Sequence, residues 1–161
     1  MRSNMTFRSD VVPADRQRVR EIVDSTGFFN PAEVDVAVEL VDECLAKGLA
    51  SGYWFLFAEE AGQTVGYSCY GPIAGTENSF DLYWIAVDNQ HRRHGLGRVL
   101  LNESERKIHQ AGGRRIYVET SSREHYVPTR AFYEKNAYIR EAALKDFYAP
   151  GDDKVIYVKV V

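Results

Sequence analysis

The 161-residue chain has few cysteines, which limits both its covalent cross-linking and its metal chemistry. Only Cys44 and Cys69 are present, too few for a disulfide framework and without the close spacing of a zinc site. Unpaired cysteines are typical of proteins from reducing compartments, where disulfides are rare. We therefore expect a cytoplasmic protein that holds no metal.

The sequence also lacks a long apolar segment and an excess of basic residues. Its longest apolar run, residues 53–58, is far shorter than the roughly 20 residues that cross a bilayer, and we expect no signal peptide. The chain has 23 acidic and 20 basic residues, a net charge of −3, whereas nucleic-acid binding calls for a basic face. Neither a membrane nor a nucleic acid is an expected partner.

What is present is ordinary globular composition. Hydrophobic residues make up 45% and charged residues 27% of the chain, which excludes a disordered or collagen-like protein. A chain of this length buries roughly two-thirds of its unfolded surface, enough for a core without cross-links. Because no repeat or low-complexity linker divides the sequence, we expect one domain over residues 1–161.

Two helix-forming segments follow a first short strand. Apolar residues at helical spacing, with Pro13 at the start and Gly27 beyond the end, predict the first helix. Asn30 and Pro31 are typical of a helix cap and a first helical residue, and they predict a second helix that ends at Gly48.

The rest of the chain alternates strands and helices. The predicted strands are residues 6–12, 53–59, 64–70, 80–87, 115–120, 138–144 and 155–160, and the two later helices are residues 96–110 and 128–135. The expected buried side of the third helix is Leu96, Val99, Leu100 and Ile108, and residues 147–154 are expected to form a loop. The predicted order is β1-α1-α2-β2-β3-β4-α3-β5-α4-β6-β7, an α+β fold with a mixed, mostly antiparallel sheet.

Residues 82–101 carry the chemistry: a strand, a polar loop, two glycines and a helix. Gly95 and Gly97 lack the Cβ atoms that would crowd a ligand at the first helical turn. The free N–H groups of that turn attract anions, and Arg92, Arg93 and Arg98 add positive charge. A phosphate or pyrophosphate is the expected ligand. The alternatives are a plain tight turn and a solvated arginine face.

Two common phosphate motifs do not fit this stretch. It has no Gly-Lys-Ser/Thr, and Leu100 stands where a dinucleotide fingerprint has its third glycine. Arg92-x-x-Gly95-x-Gly97 after an Ile-Ala-Val strand end instead resembles the acetyl-coenzyme A signature of the GNAT superfamily of N-acetyltransferases. Residues 129–138 are similar to the later Phe-Tyr-Glu-Lys-x-Gly-Phe signature of that family, and the order of elements also matches.

The resemblance implies a GNAT-like sheet with helices on both faces and a direct acetyl transfer from acetyl-CoA, the co-substrate, to a primary amine. It implies no metal and no acyl-enzyme. Strand residues 85–87 would pair through their backbone with the pantetheine arm, and the amides of residues 93–98 would hold the pyrophosphate. The implied cofactor-binding residues are Ile85, Ala86, Val87, Arg92, Arg93, His94, Gly95, Leu96, Gly97 and Arg98.

The resemblance also implies a proton donor and leaves the proton acceptor open. Tyr133 matches the family tyrosine that protonates the leaving thiolate, and the reference pKa values of a thiol and a phenol, about 8.5 and 10, suit that transfer. Glu119 is favoured over Asp81 as the base or relay anchor. The alternatives are a core aromatic for Tyr133 and hydrogen-bonded strand carboxylates for Glu119 and Asp81.

The residues that would bind the amine substrate are less well defined. Phe28 and Phe29 are interpreted first as a hydrophobic staple for the second helix and second, with Tyr83 and Tyr126, as acceptor contacts. Tyr126 stands where many family members have an asparagine that contacts the cofactor. A small-molecule amine is the favoured partner over a protein, and a homodimer through the last strands is compatible with the sequence. The alternative function is a non-catalytic acyl-CoA-binding or sensing module.

Overall fold

The computed structural model describes residues 5–161, except for the side chains of Arg93 and His94. The strands are β1 (Met5–Arg8), β2 (Trp54–Glu60), β3 (Gln63–Pro72), β4 (Ser79–Val87), β5 (Arg115–Ser121), β6 (Ile139–Ala149) and β7 (Asp152–Val160). The helices are α1 (Asp15–Ser25), α2 (Pro31–Lys47), α3 (Leu96–Gln110) and α4 (Val127–Lys135). The predicted order of elements is confirmed, and none of the helices within residues 5–161 is long and apolar enough to cross a bilayer.

The seven strands form one sheet in the order β1-β2-β3-β4-β5-β7-β6, mostly antiparallel as predicted, with a parallel pairing of β4 and β5. The chain divides into two compact units. The first comprises the residues up to Gly71 together with Trp84–Lys107, and the second comprises Pro72–Tyr83 and Ile108–Val161.

The core of the first unit lies where α1 and α2 pack on the aromatic residues of β2 and β3. Val19 and Ile22 of α1 are fully buried, and the rings of Phe55, Phe57 and Tyr67 stack on one another with centroids 5.7–6.2 Å apart. The periodicity of α1 therefore predicted its buried face correctly. Burial of such side chains contributes roughly 1.5–3 kcal/mol each, so this cluster supplies much of the stability of the unit.

The predicted start of α2 is confirmed at the level of hydrogen bonds. The Asn30 side chain accepts the Glu33 N–H at 2.8 Å, and the Glu33 carboxylate accepts the Asn30 N–H at 3.0 Å. This reciprocal capping box satisfies two amides that a helix N-terminus otherwise leaves unpaired. Acidic side chains of α2 also join the two helices, because Asp35 pairs with Arg20 and Asp42 pairs with Arg16.

The second unit is built on the antiparallel ladders β5–β7 and β7–β6. Its buried aromatic cluster contains Tyr133, Tyr138 and Tyr157, whose ring centroids lie 5.4 and 6.3 Å from that of Tyr133. The Tyr157 hydroxyl donates to Glu134 Oε2 at 2.7 Å. Next to this cluster Ala137 has φ +70°, the left-handed region that favours glycine, at the position where the family signature has glycine.

Three sequence expectations were wrong. The first strand ends at Arg8 and not at residue 12, because Val12 is already hydrogen-bonded to Asp15 at the start of α1. Val99 was expected to be buried but is 37% exposed. The buried face of α3 instead contains Leu96, Leu100, Leu101 and Ile108, because the apolar stripe continues four and five residues after Leu96 and leaves Val99 at its edge. Residues 147–154 do not form a loop, since β6 and β7 continue through them to a turn at residues 150–151.

The extension of this hairpin has a cause that strand propensity does not reveal. The Asp146 carboxylate accepts the Gly151 N–H at 2.9 Å, and the Asp153 carboxylate accepts the Asp146 N–H at 2.9 Å. Asp146 itself has φ +55°, and the β6–β7 register shifts between Leu144 and Ala149. Side-chain bonds across the hairpin thus replace regular ladder bonds near its tip.

The buried Tyr67 hydroxyl has no hydrogen-bond partner among the described residues, so we expect Tyr67→Phe to raise the free energy of unfolding by about 1 kcal/mol. An unpaired buried hydroxyl carries a desolvation cost that phenylalanine removes without a change of shape. Tyr157→Phe is the matched control: it breaks the bond to Glu134 and should lower the same quantity by about 1 kcal/mol. Urea unfolding at pH 7 measures both, and a Tyr67→Phe protein no more stable than Tyr157→Phe would contradict this account.

Candidate active site

The junction between β4 and α3 has the geometry of an anion site. After β4 ends at Val87, residues 89–94 form a short 3₁₀ helix, and Gly95 has φ +66° just before α3 begins at Leu96. A Cβ on Gly95 would meet nothing within 4 Å, so glycine is required there by the backbone conformation and not by crowding within the protein. The Val99 N–H donates to Gly95 O at 3.2 Å, which leaves the earlier amides of the first turn without helical acceptors.

Asp88 fixes the start of this junction. Its carboxylate accepts the Gln90 N–H at 3.0 Å and Arg18 Nη2 at 3.0 Å, and its own N–H donates to Val65 O at 2.8 Å. The side chain is almost fully buried. Asp88 therefore ties the end of β4 to β3 through its backbone and to α1 through its carboxylate, within the first unit.

The pKa of Asp88 is lowered by this arrangement. Burial acts in the opposite direction and raises the pKa, but the Gln90 amide, the Arg18 guanidinium and the charge of His91 together outweigh it. Asp88 is thus a stabilised buried anion near neutral pH.

A second bond anchors the following residue. The Asn89 N–H donates to Ser25 Oγ at 3.1 Å, which ties the 3₁₀ helix to the end of α1. The Asn89 side chain in turn accepts Arg92 Nη1 at 3.1 Å and holds that exposed guanidinium beside the junction. No sequence pattern marked Asp88, Ser25 or Arg18, because their contacts join residues that are up to 70 positions apart.

The predicted cofactor-binding residues fall around this junction. Ala86, Val87 and Leu96 are buried, so their side chains are not available to a ligand. Arg98 is exposed, whereas Ile85 and Gly97 are half-buried. Arg93 and His94 were also predicted to bind the cofactor, and their side chains lie outside the part of the chain that the structure describes.

The predicted proton donor and acceptors lie in the second unit. Tyr133 is 5% exposed, and burial raises the pKa of its phenol, so the hydroxyl stays protonated at physiological pH. The parallel β4–β5 ladder joins Ser79–Asp81 to Arg115–Tyr117. Asp81 is therefore the last β4 residue in that ladder.

Asp81 and Glu119 differ in their surroundings. Burial raises the pKa of Asp81, and the charge of Glu119 raises it further, against a Tyr83 hydrogen bond and the charge of Lys154. Glu119 is about half-exposed and is paired with Lys154, whose Nζ lies 2.9 Å from Glu119 Oε2. Asp81 consequently takes up a proton more readily than an ordinary aspartate.

Aromatic rings surround these groups in the second unit. Lys154 Nζ lies 4.3 Å from the centroid of the Phe147 ring. The pKa of the Tyr148 phenol is raised mainly by burial and further by the charge of Glu119. We call Asp81, Tyr83, Glu119, Phe147, Tyr148 and Lys154 the carboxylate–aromatic cluster. Lys154 was missed by sequence reasoning, because only the β5–β7 register brings it to Glu119.

The four predicted substrate residues have different environments. Phe29 packs on the core of the first unit, with its ring centroid 4.7 Å from that of Trp84, and Phe28 packs edge-on against it. This supports the staple interpretation, since Val34 four residues after the cap belongs to the same core. Tyr83 is 41% exposed, and Tyr126 is half-buried beneath the Arg123 guanidinium.

The sequence predicts that the protein holds no metal. Among the described residues no group of three His, Cys, Asp or Glu side chains is arranged to hold a metal ion. Both cysteines are buried, and burial raises the pKa of each thiol, so neither is activated as a nucleophile.

We expect Asp88→Asn to lower the free energy of unfolding at pH 7 by about 1–3 kcal/mol, because the charge-assisted bonds to Arg18 and Gln90 are lost. The folded pKa of Asp88 lies below its unfolded value, so its contribution is fully present above pH of about 4 and is lost as the pH falls through the folded pKa. The deficit of the variant should shrink in acid.

The exposed carboxylate of Asp24 on α1 provides the control, and Asp24→Asn should change stability little. Chemical unfolding between pH 3 and pH 7 measures both variants. A deficit of the Asp88 variant that stays constant with pH would contradict the assigned role of the charge.

Comparison with known proteins identifies the family. The family model described as "Acetyltransferase (GNAT) family" matches residues 17–138. A crystal structure from Desulfovibrio desulfuricans, assigned to the same family, is 51% identical, with a TM-score of 0.94 over 97% of this chain and 98% of that one. The Mycobacterium tuberculosis protein named "Probable N-acetyltransferase Rv2775" is 28% identical over 78% of this chain and 67% of its own length.

A more distant structure shares the fold. A GNAT family acetyltransferase from Elizabethkingia anophelis, crystallised with acetyl-CoA bound, has a TM-score of 0.70 at 14% identity and is covered over 99% of both chains. The family match spans most of the chain, and the sheet order, the glycine-led junction and the second signature agree with it. The chain therefore belongs to the GNAT family of N-acetyltransferases, enzymes that in general take the acetyl group from acetyl-CoA.

Proposed function

We propose that this protein transfers the acetyl group of acetyl-CoA to a primary amine on a small molecule. The observation that carries the proposal is the β4–α3 junction, where left-handed Gly95 leads into first-turn amides that have no helical acceptor. Such amides, at the positive end of a helix dipole, fit a pyrophosphate. The acetyl-CoA in the Elizabethkingia anophelis structure supports the choice of donor.

The residues of this chain fit the other parts of the donor. The open space around Gly95 and the exposed Arg92 and Arg98 leave room and positive charge for phosphates. Ile85, Ala86 and Val87 lie beyond the three β4 residues that pair with β5, which supports backbone pairing with the pantetheine arm. Tyr126 stands at the position of the asparagine that contacts the cofactor in many family members, and Ser122 and Thr129 are the nearby polar residues that could replace that contact.

The chemistry is a direct transfer. The bound thioester supplies an activated acetyl carbon, so that a C–N bond to the amine forms, the C–S bond breaks and one proton moves from nitrogen to sulfur overall. Tyr133 donates the proton to the departing sulfur. Its hydroxyl is neutral and therefore carries a proton to give. Burial raises the pKa of the phenol and makes it a weaker acid, and it also raises the proton affinity of a thiolate that is released in the same apolar surroundings.

Asp81 is the better supported proton acceptor. An alkylammonium has a pKa of about 10.4, so the amine must lose a proton before it attacks. Asp81 has a raised pKa and lies at the end of the β4–β5 ladder, whereas the Glu119 carboxylate is already paired with Lys154. We therefore place the base or the anchor of a water relay at Asp81, ahead of the Glu119 favoured by sequence.

The carboxylate–aromatic cluster supports a small amine with an apolar portion as the acceptor. Asp81 attracts a cationic amine, and the rings of Tyr83, Phe147 and Tyr148 are each roughly half-exposed and available to an apolar group. Lys154 offsets the second carboxylate charge, which argues against a long polycation. A primary amine next to an aromatic or aliphatic group fits this chemistry.

We expect Tyr133→Phe to lower kcat by roughly 10²–10⁴ while the acetyl-CoA dissociation constant stays within about twofold. Tyr157→Phe is the matched control, because it removes a hydroxyl from the same aromatic cluster and should leave kcat nearly unchanged. Thiol release with a panel of small primary amines measures turnover, and calorimetry measures binding. An unchanged kcat in Tyr133→Phe, with acetyl transfer rate-limiting, would remove the residue from the mechanism, and binding without any turnover would favour a sensing module.

We expect Asp81→Asn to lower kcat by roughly tenfold or more and to raise the free energy of unfolding at pH 7. The folded pKa of Asp81 lies above its unfolded value, so its ionisation opposes folding once the pH exceeds about 4. The increase in the free energy of unfolding of Asp81→Asn should therefore vanish in acid and grow as the pH rises through the folded pKa of Asp81.

The variant Glu119→Gln distinguishes which of the two carboxylates acts as the base. A larger loss of kcat in Glu119→Gln than in Asp81→Asn would return the base to Glu119. Steady-state kinetics and urea unfolding between pH 3 and pH 8 provide both readouts.

A further inference from the structure

Lys154 in the carboxylate–aromatic cluster is a lysine that the fold withdraws from water. Its side chain is 15% exposed, whereas that of its ion-pair partner Glu119 is 48% exposed. Lysine is rarely buried to this extent unless its charge is paired. The pair of Lys47 and Glu43 on α2 has a similar separation, 2.8 Å between Nζ and Oε2, but its lysine is 61% exposed. The ammonium of Lys154 is thus held within the cluster, unlike that of an ordinary surface pair.

The registers of the sheet place this ammonium on the same face as two carboxylates. Asp81 lies opposite Tyr117 in the parallel β4–β5 ladder, so Asp81 and Glu119, two residues after Tyr117, point to one face. Lys154 lies opposite Ser121 in the β5–β7 ladder and is therefore on that face too, diagonal to Glu119. A long side chain can span such a diagonal. One face of the second unit consequently carries two acids and one base.

Two contacts fix the position of the ammonium. Lys154 Nζ lies 2.9 Å from Glu119 Oε2 and 4.3 Å from the centroid of the Phe147 ring, where a cation is attracted to the ring face. Asp152, two residues earlier on β7, is paired with another cation, because Arg123 Nε lies 3.2 Å from Asp152 Oδ2. The charge of Lys154 is therefore directed at Glu119.

Without this cation the two carboxylates would oppose each other. Like charges that share a site favour the uptake of a proton by one of them. The pKa of Asp81 is raised by burial and by the charge of Glu119, and the charge of Lys154 lowers it. A protonated Asp81 cannot accept a proton from an amine. The ionised fraction of Asp81 thus depends on whether the charge of Glu119 is compensated.

We propose that Lys154 is a positioning residue for acetyl transfer, which holds Glu119 as an ion-paired bystander and leaves Asp81 ionised to accept the proton of the amine. The inference rests on the proposed function, because it takes Asp81 as the base. The proton passes from the substrate ammonium to Asp81 before the nitrogen attacks the acetyl carbon. Lys154 keeps its own protons throughout and acts only through the two carboxylates.

The other ionisable groups of the second unit around this face do not replace Lys154. Four of them are tyrosines, which carry no positive charge, and the fifth is an aspartate that is paired with Arg123. The sixth is an exposed arginine opposite Ser79, at the end of the β4–β5 ladder that is remote from Glu119. These groups are Tyr83, Tyr117, Tyr126, Tyr148, Asp152 and Arg115.

The pH dependence of turnover tests the role of the charge. Lys154→Met keeps most of the side-chain length and removes the ammonium. Its kcat/KM relative to wild type should be about threefold or more lower at pH 5 than at pH 8, because Asp81 is then protonated over a wider range of pH. The titration of the amine cancels in this ratio. A purely structural role of Lys154 would lower kcat/KM by the same factor at every pH.

Three further variants control this measurement. Lys154→Arg retains the charge, and its ratio to wild type should stay nearly constant with pH. The double variant Lys154→Met/Glu119→Gln should regain the pH dependence of wild type, since the opposing charge and its compensation are removed together. Lys47→Met takes the same charge from the exposed pair on α2 and should leave kcat/KM unchanged at every pH.

Nuclear magnetic resonance provides a readout that needs no turnover. The ¹³C shift of the Asp81 carboxyl, assigned with Asp81→Asn, should titrate at higher pH in Lys154→Met and at lower pH in Glu119→Gln than in wild type. A midpoint that moves in neither variant, or a kinetic ratio of Lys154→Met that is independent of pH, would overturn the proposal. Moved midpoints in a chain that acetylates no amine would instead refute the proposed function and support the coupling of the three charges.

Discussion

The bonds to the buried Asp88 carboxylate are the interactions on which the geometry of the β4–α3 junction depends. An isolated charge in a protein interior is costly, and this one is retained because the Gln90 N–H and the Arg18 guanidinium of α1 bond to it. The backbone N–H of Asp88 adds a separate bond to Val65 O of β3. As a result the position at which the chain leaves the sheet and enters the glycine-led turn is set by the core of the first unit rather than by the loop itself.

An interior strand, β3, and an edge strand, β6, are under different constraints. Nearly every residue of β3 is buried, so its sequence is dictated by packing, and even Gly66 is specified, because a Cβ there would lie 3.1 Å from Ala86 O. Strand β6 is almost entirely exposed, and its sequence is free to carry charges. Glu119 and Lys154 of the second unit lie between these extremes, because they meet across the β5–β7 ladder and neither is fully buried.

Local patterns predicted the fold well because local physics determines it. The cap at Asn30 and the glycines that flank α3 placed helix ends to within a residue, since unpaired amides and left-handed turns restrict which residues can stand there. The hairpin tip was predicted wrongly because Asp146 and Asp153 act through side-chain bonds across the strands. Lys154 and Arg18 could not be found at all, since their partners are brought to them by tertiary structure and no sequence pattern records that meeting.

The anchoring of Asp88 and Asn89 to α1 has a consequence for how tightly a ligand can be held. A flexible glycine loop must be immobilised when its ligand arrives, and that loss of conformational freedom subtracts from the affinity. Here the bonds to Arg18 and Ser25 restrict the loop before any ligand is present, so the entropy of ordering is lost during folding instead. The junction is preorganised, and its glycines provide their unusual geometry without the mobility that glycine brings elsewhere.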